Sequence, residues 1–147
     1  MINELHHPTT LGNIALQNHT VMAPYEEIDA TYTLLAEELN ALDIAYIHLV
    51  DHSGLGAPKV PASIKQTIRK KFNGTLILSG NYDAERAEQD LQNGSADLIA
   101  FGRPFLSTPD LVERFKQGAA LNQPKFDLFY TLGPVGYTDY PTLEEID

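Results

Sequence analysis

Two segments in the middle of the chain end an apolar, strand-like run on a glycine. Residues 76–81 read LILSGN, and residues 98–103 read LIAFGR. A glycine lets the backbone approach an anion closely and direct its N–H groups at the anion's oxygen atoms. Arg103 adds a planar fork of donors that matches phosphate. Gly80, Gly102 and Arg103 thus predict a phosphate site. The same residues also allow a second interpretation, in which the glycines turn the chain and Arg103 pairs with a surface carboxylate.

Two further clusters have side chains that can do chemistry. His48, Asp51 and His52 form an HxxDH pattern of potential metal ligands. The ligand set is incomplete, so a strand histidine beside a polar loop is the favoured interpretation. Glu26, Glu27 and Asp29 form an acidic run that is more typical of a helix N-terminus than of a catalytic carboxylate pair. Neither a metal site nor carboxylate catalysis is therefore predicted.

The segment from residue 122 to residue 147 is rich in aromatic side chains. They could stack on a flat ligand or pack this tail against the rest of the molecule, and the sequence leaves both possibilities open. The aromatic residues concerned are Phe126, Phe129, Tyr130, Tyr137 and Tyr140. The chain contains no GxGxxG, P-loop or GxSxG motif, so none of the chemistry of those motifs is predicted.

The elements that must position these residues alternate between strands and helices. Predicted strands cover residues 20–23, 44–50, 75–78 and 98–101. Predicted helices begin at about residues 30, 61, 84 and 109, and Gly12-Asn13 predicts a small hairpin or an extended lead-in before them. This alternation predicts a parallel α/β sheet of about four βα units. Because a whole (β/α)₈ barrel needs roughly 200–250 residues, the 147 residues predict an open sheet or part of a barrel.

The sequence also predicts two details of the helices. Leu35, Leu39 and Leu42 repeat at helical spacing and predict the buried face of the first helix. Thr108 and Pro109 predict the N-cap and the first residue of the last helix.

Composition and charge exclude several classes of protein. The chain carries 10 Lys and Arg against 20 Asp and Glu, for a net charge of -10, which disfavours a nucleic-acid-binding protein and a polybasic membrane anchor. The absence of cysteine excludes disulfides, thiol catalysis and Cys-based metal sites. A polar N-terminus and the absence of a long apolar run predict a cytoplasmic protein with no membrane contact.

Several motifs together resemble the Old Yellow Enzyme family. LQNHTVMAP at residues 16–24 resembles its first barrel strand, which usually reads LxNRxxMAP. AYIHL at residues 45–49, the SGN and AFGR strand ends, and STPDL at residues 107–111 resemble its last third. The sequence GYTDYP at residues 136–141 is similar to its C-terminal tail. The resemblance covers nearly the whole chain.

The resemblance implies an FMN-dependent ene-reductase fold, the (β/α)₈ barrel, with part of the FMN site retained. It places the FMN phosphate against the backbone of Gly80, Asn81, Gly102 and Arg103 and against the Arg103 side chain. By the same resemblance, the flavin ring lies near three more residues, which are Ala23, Pro24 and Tyr130. It assigns no catalytic residue and no metal ligand in this chain.

The resemblance also has an internal gap. The first strand is followed at once by the helix that precedes the sixth strand in the family, so strands two to five have no counterpart. In the family, that region supplies the substrate-binding pair, the Tyr proton donor and further flavin contacts. After Ala-Pro the family commonly has an apolar residue and then Thr or Cys, whereas this chain has Tyr25 and Glu26.

The expected architecture is a half TIM barrel with four units equivalent to strands 6, 7, 8 and 1. It forms one truncated domain over residues 1–147, with a first-strand segment (1–25), βα units (26–121) and a C-terminal tail (122–147). The preferred function is an FMN-binding remnant with little or no ene-reductase activity. The alternatives are an NAD(P)H-dependent FMN oxidoreductase that is active as an oligomer and a non-catalytic scaffold that has lost FMN. Two exposed strand edges, at residues 20–23 and 44–50, predict a homodimer that rebuilds a barrel, with the C-terminal tail as the competing cover of an edge.

Overall fold

The computed structural model describes residues 7–11, 14–16 and 27–145. The strands are β1 (Thr9–Leu11), β2 (Ile14–Leu16), β3 (Tyr46–Val50), β4 (Thr75–Ser79) and β5 (Leu98–Ala100). The helices are α1 (Glu27–Ala41), α2 (Ala62–Lys71), α3 (Ala84–Gln92), α4 (Arg103–Ser107) and α5 (Leu111–Gln117). Short 3₁₀ turns cover His52–Leu55, Phe126–Leu128 and Leu143–Glu145.

The central feature of the described part is a parallel sheet in the order β3-β4-β5. His48 pairs with Ile77, and Leu78 pairs with Ile99. The predicted βα alternation and the parallel pairing are confirmed for these three strands. The fourth predicted parallel strand, at residues 20–23, lies outside the described residues.

Helices cover one face of this sheet. Leu76 and Leu78 of β4 point to that face and are fully buried, and they pack with Ile64 and Ile68 of α2. Since side chains alternate along a strand, the neighbouring residues of β4 point to the opposite face. That bare face exposes large apolar side chains, among them Tyr46, Val50 and Leu98. The arrangement places every strand's carboxyl end at one edge of the sheet.

Helices α2 and α3 begin within one residue of their predicted starts at residues 61 and 84. Pro61 is the N-cap residue of α2, and the helix buries Ile64 and Ile68, which lie four residues apart on one face. Asp83 caps α3 because its Oδ1 accepts a hydrogen bond of 2.8 Å from the backbone N–H of Arg86. The hairpin prediction is also confirmed, since β1 and β2 pair antiparallel with Leu11 opposite Ile14.

The predicted buried face of α1 is wrong. Leu35 and Leu42 are exposed and Leu39 is half-buried, whereas Ala36 is buried. The reason is geometric, because α1 packs closely against α2 and the small side chain of Ala36 permits that approach. Leu35 and Leu39 instead flank a groove beside β3 that the described residues leave open.

The predicted start of the last helix is also wrong. Thr108 and Pro109 lie before the helix, and Asp110 is its N-cap residue. Asp110 is engaged by Arg114, whose Nε donates to Oδ1 at 2.8 Å. Arg114 is buried and also donates to the carbonyl oxygen atoms of Ala120 and Pro141. These bonds attach the C-terminal tail to α5.

In the ranges that the structure describes, no helix is both long and apolar enough to cross a membrane.

Candidate functional site

A cavity of about 520 Å³ lies at the carboxyl ends of the three parallel strands. Its walls come from the segments that follow β3, β4 and β5 and from the beginning of the C-terminal tail. In parallel α/β folds this end of the sheet is where ligands bind. The cavity is therefore the candidate functional site.

Four of the seven predicted cofactor-binding residues line this cavity. They are Gly80, Asn81, Gly102 and Arg103. Ala23 and Pro24 lie outside the described residues. Tyr130 is 97% exposed in the tail and is not part of the cavity wall. The structure thus brings the two glycine-containing strand ends together, and their role in holding a cofactor stays a prediction.

The loop after β4 has a fixed backbone. Gly80 has φ of 119° and Asn81 has φ of 52°, values that favour glycine and asparagine. A Cβ added at Gly80 would collide with the backbone oxygen atom of Asp51 and lie 2.8 Å from its Cβ. Arg86 Nη1 donates to the carbonyl oxygen atoms of Gly80 and Asn81, at 3.1 and 3.3 Å. The guanidinium of Arg86 therefore fixes the orientation of the carbonyl groups in this loop.

The loop after β5 is open where the loop after β4 is crowded. Gly102 is the N-cap residue of α4, and a Cβ added there would meet nothing within 4 Å. Arg103 is the first residue of α4, and its Cζ lies 5.9 Å from the ring centroid of Phe126. Its guanidinium forms no ion pair with any residue of the described ranges. The interpretation in which Arg103 pairs with a surface carboxylate is therefore wrong for the described residues.

The carboxylate of Asp51 lines the cavity but is already engaged. Its Oδ1 accepts from the backbone N–H of Ser53 at 3.0 Å, and its Oδ2 accepts from Lys65 Nζ at 3.3 Å. Burial acts to raise the pKa of Asp51, but the bonds from Ser53 and Lys65 outweigh it and lower that pKa to about 2. The group is a structural anion that ties the loop after β3 to α2. Its charge is largely neutralised by Lys65.

The two histidines of the HxxDH pattern do not join Asp51 in one cluster. His48 Nε2 lies 3.1 Å from Ser79 Oγ on the neighbouring strand. His52 lies in the 3₁₀ turn that Asp51 caps. Among the described residues, no group of three or more His, Cys, Asp or Glu side chains is placed to hold a metal ion.

Sequence reasoning missed the part of the cavity wall that the tail contributes. Asn122, Gln123 and Phe126 line the cavity. Asn122 is positioned by Thr108, whose Oγ1 accepts from its backbone N–H at 3.2 Å, and by the carbonyl of Pro141. The aromatic content of the tail was a usable signal for Phe126. No periodicity marked Asn122 or Gln123, because they lie in irregular structure.

The remaining tail aromatics divide between packing and exposure. Phe129 and Tyr140 are buried. Tyr140 Oη accepts a hydrogen bond of 2.8 Å from the backbone N–H of Lys125. Tyr130 and Tyr137 are exposed. Packing of the tail therefore accounts for two of the five aromatics that could have stacked on a ligand.

Comparisons with known proteins agree with this geometry. Residues 25–122 match the model of the NADH:flavin oxidoreductase / NADH oxidase family. A 12-oxophytodienoate reductase-like protein of Solanum lycopersicum is 42% identical over 118 residues, which are 79% of this chain and 32% of the relative. Putative 12-oxophytodienoate reductase 2 of Oryza sativa subsp. japonica is 55% identical over 80 residues, or 54% of this chain and 21% of the relative.

Solved structures give the same result for the fold. Morphinone reductase superposes with a TM-score of 0.75 at 45% identity, over 81% of this chain and 32% of that one. The old yellow enzyme from Trypanosoma cruzi superposes with a TM-score of 0.70 at 33% identity, over 80% of this chain and 31% of that one. This family and the morphinone reductases are FMN-dependent. The matches cover between about a fifth and a third of the length of these relatives.

Proposed function

The chain belongs to the NADH:flavin oxidoreductase / NADH oxidase family, and from that premise we propose that the cavity at the strand ends binds FMN by its phosphate group. The observation that carries this proposal is a guanidinium, that of Arg103, which lies in a cavity wall with two glycine-containing strand ends and pairs with no carboxylate of residues 7–11, 14–16 and 27–145. In a protein with a net charge of -10, a cation without a carboxylate partner at such a place favours an anionic ligand.

The donors in the cavity fit a phosphate group. Arg103 offers a fork of N–H groups, and as the first residue of α4 its backbone N–H has no partner within that helix. Gly102 has no side chain to block an approaching oxygen atom, and a Cβ there would point into open space. Asp51, the one carboxylate that the described residues contribute to the wall, is paired with Lys65, so it adds little repulsion.

The flavin ring would require residues beyond this cradle. FMN supplies hydride-transfer chemistry when it is bound, and this chain's own residues contribute binding and orientation at the phosphate end. Ala23 and Pro24, which the family resemblance places beside the ring, precede α1 by only a few residues. That spacing leaves no room for four βα units between the first-strand segment and α1.

We therefore propose an FMN-binding remnant with little or no ene-reductase activity, built from the equivalents of strands 6, 7, 8 and 1. Ene-reduction needs a substrate held over the flavin by oriented donors, and a displacement of about 1 Å can reduce the rate about 100-fold. By the family resemblance, the segment that supplies those donors is absent from this sequence. Neither the alternative of an oligomeric enzyme nor that of a scaffold without FMN is supported by an observation of its own.

We also propose that two copies of the chain associate through their strand edges. Within the described ranges, β3 and β5 each pair with β4 alone, so one side of each is unpaired. The bare face of the sheet exposes Tyr46, Val50 and Leu98, and a second copy that closes the sheet would bury them. The other predicted edge, at residues 20–23, lies outside the described residues.

The binding proposal is tested by titrating the purified protein with FMN and with riboflavin, which lacks the phosphate. The wild-type chain should bind FMN more tightly than riboflavin. Arg103→Gln should weaken FMN binding by about tenfold or more and leave riboflavin binding nearly unchanged. Lys116→Gln is the matched control, because it removes the same charge from an exposed ion pair on α5. Equal affinity for the two ligands in the wild-type chain would overturn the proposal.

The remaining parts are tested on the FMN-loaded protein. Oxidation of NADPH with cyclohexenone should stay near the rate of free FMN, and turnover typical of ordinary enzymes would favour the active-oligomer alternative. Light scattering with size exclusion should give the mass of a dimer. Val50→Lys should shift that mass to the monomer, and Val112→Lys, an exposed change on α5, should not. A monomeric wild-type chain would refute the association.

A further inference from the structure

The positive charge of the chain is concentrated in one segment. Residues 52–82 contain five of the ten Lys and Arg and none of the 20 Asp and Glu. The remainder of the chain is correspondingly acidic. In an acidic protein, a segment with only positive charges is more typical of a binding site for an anion than of an ordinary solvated surface.

The fold gathers most of these cations around one groove. α2 packs closely against α1 but makes little contact with α3, and a cavity of about 510 Å³ lies between α2 and α3. Its floor includes Leu78 of β4. Five cationic residues line it, which are Lys59, Lys65, Arg69, Lys70 and Arg86. No residue of this wall belongs to the wall of the strand-end cavity, so the two are separate places.

Three of the five cations are held in place by the protein itself. Lys65 pairs with Asp51 at 3.3 Å, and Arg69 Nη1 donates to Asp97 Oδ2 at 2.6 Å. Arg69 Nη2 also donates to two backbone carbonyl oxygen atoms. Arg86 stacks on the Tyr82 ring at 3.9 Å and donates to the loop after β4. Their positions are therefore fixed before any ligand arrives.

The other two cations, Lys59 and Lys70, pair with no carboxylate in the described part of the chain. Among the described residues of the groove wall the one carboxylate is that of Asp90, whose Oδ2 accepts from Tyr82 Oη at 2.6 Å. Burial and the hydrogen bond to Asp90 raise the pKa of the Tyr82 hydroxyl to about 12. The groove thus has unpaired positive charge and little negative charge to offset it.

We propose that this groove binds a small linear polyanion of two or more linked phosphates. Lys59 precedes α2 and Lys70 lies near its end, which places their backbones about 12 Å or more apart along the helix axis. A single phosphate could contact both ammonium groups only if the two lysine side chains converged on one point. Two or three linked phosphates can contact both while the ammonium groups stay apart, which keeps their mutual repulsion low. The phosphates can come from an inorganic oligophosphate or from a nucleotide.

An acidic surface of a second copy is the less favoured occupant. The groove lies on the helix side of the sheet, away from the bare face and the strand edges. Docking of another part of the same chain there would be a head-to-tail contact, which forms open chains unless its rotation closes. A small ligand requires no such assembly, and the concave shape of the groove suits it.

The experiment is calorimetric titration of the FMN-saturated protein with orthophosphate, pyrophosphate, tripolyphosphate and ATP at low salt. Affinity should rise from orthophosphate to tripolyphosphate. The double variant Lys59→Gln/Lys70→Gln should lose at least about tenfold in tripolyphosphate affinity. The control Lys71→Gln/Lys116→Gln removes the same net charge outside the groove, and it should retain the wild-type affinity.

The remaining outcomes each decide the question. Equal loss in the two double variants would show non-specific attraction and would overturn the proposal, as would absence of tripolyphosphate binding at millimolar concentration. Tripolyphosphate that binds without FMN but is displaced by it would place the anion in the strand-end cavity instead. Tighter binding of a short poly-glutamate peptide than of tripolyphosphate would identify an acidic protein segment as the occupant and overturn the assignment. Similar affinities for ATP and tripolyphosphate would identify the phosphate chain as the recognised group.

Discussion

The two faces of the parallel sheet carry similar residues in opposite environments. On the helix-covered face, Leu76 and Leu78 are almost fully buried. On the bare face, Leu98 of the adjacent strand is 53% exposed and Tyr46 is 56% exposed. Both faces are apolar, as expected of a parallel sheet that is covered on both sides. An apolar strand face is stable when other elements bury it. The strand's own sequence does not determine whether a helix, another segment or a second copy of the chain does so.

The two faces of the sheet also differ in what they contribute to stability and to the candidate site. The helix-covered face holds the strands in register and so fixes the positions of their carboxyl ends. The candidate site is built on those ends, with Gly80 and Gly102 in the cavity wall. The bare face has no such support in the described part of the chain, so substitutions there should report on association more than on folding.

The largest expected difference between the faces is in the free energy of unfolding of two leucine variants. Leu78→Ala should lower it by about 4 kcal/mol, because it removes a fully buried side chain and leaves a cavity. Leu98→Ala should lower it by less than about 1 kcal/mol in dilute protein, since the side chain is half exposed. Urea denaturation at low concentration measures both.

Repeating the measurement at high protein concentration sharpens the comparison. If two copies bury the bare face, the effect of Leu98→Ala should grow with concentration, while that of Leu78→Ala should change little. Similar losses for the two variants in dilute protein would mean that residues of the same chain cover the bare face. That outcome would contradict the association proposed above.

The covered face was also the part that the sequence predicted best. Ile64 and Ile68 repeat at helical spacing, and both are buried. The leucines of α1 follow the same rule and yet two of them are exposed, because the helix contacts its neighbour through Ala36. Periodicity identifies an apolar stripe, but the length of the contacting side chains decides which stripe is used.

The strand-end site was predictable in part for a different reason. Glycine after an apolar run marks Gly80 and Gly102 locally, and parallel strands bring such ends together. The contributions of Asn122 and Gln123 depend on the path of the tail, which buried Arg114 fixes through a carbonyl of Pro141. A buried arginine that binds backbone carbonyls leaves no repeating pattern in a sequence.

The second expected effect compares the two glycines at the strand ends. Gly80→Ala should lower the free energy of unfolding by about 3 kcal/mol, since φ is 119° and the new Cβ would collide with Asp51. Gly102→Ala should change stability by less than about 1 kcal/mol, because a Cβ there meets nothing within 4 Å. Thermal or urea denaturation measures the difference.

The glycine pair also separates structure from binding. Gly102→Ala adds a methyl group to the proposed phosphate cradle, so FMN affinity should fall by several-fold in a protein of normal stability. A stable Gly102→Ala variant with wild-type FMN affinity would argue that the phosphate does not approach this glycine. A Gly80→Ala variant of wild-type stability would show that a Cβ at residue 80 does not collide with the backbone of Asp51.

The smallest effect is the acid sensitivity of the link between the loop after β3 and α2. The pKa of Asp51 is about 2 in the folded chain, against a reference value of 3.8. A carboxyl group with a lowered folded-state pKa stabilises the fold above its unfolded-state pKa. That contribution, about 2 kcal/mol, is lost as pH falls from about 4 through 2. Asp51→Asn should therefore destabilise the protein at pH 6 and show a shallower loss of stability between pH 4 and 2.

Asp127→Asn, which removes an exposed carboxylate of the tail, is the matched control. Its free energy of unfolding should fall with pH as steeply as that of the wild-type chain. Parallel pH profiles for Asp51→Asn and the wild-type chain would mean that Lys65 and Ser53 do not hold this carboxylate in solution, and that the strand-end cavity contains an unneutralised negative charge that disfavours a phosphate.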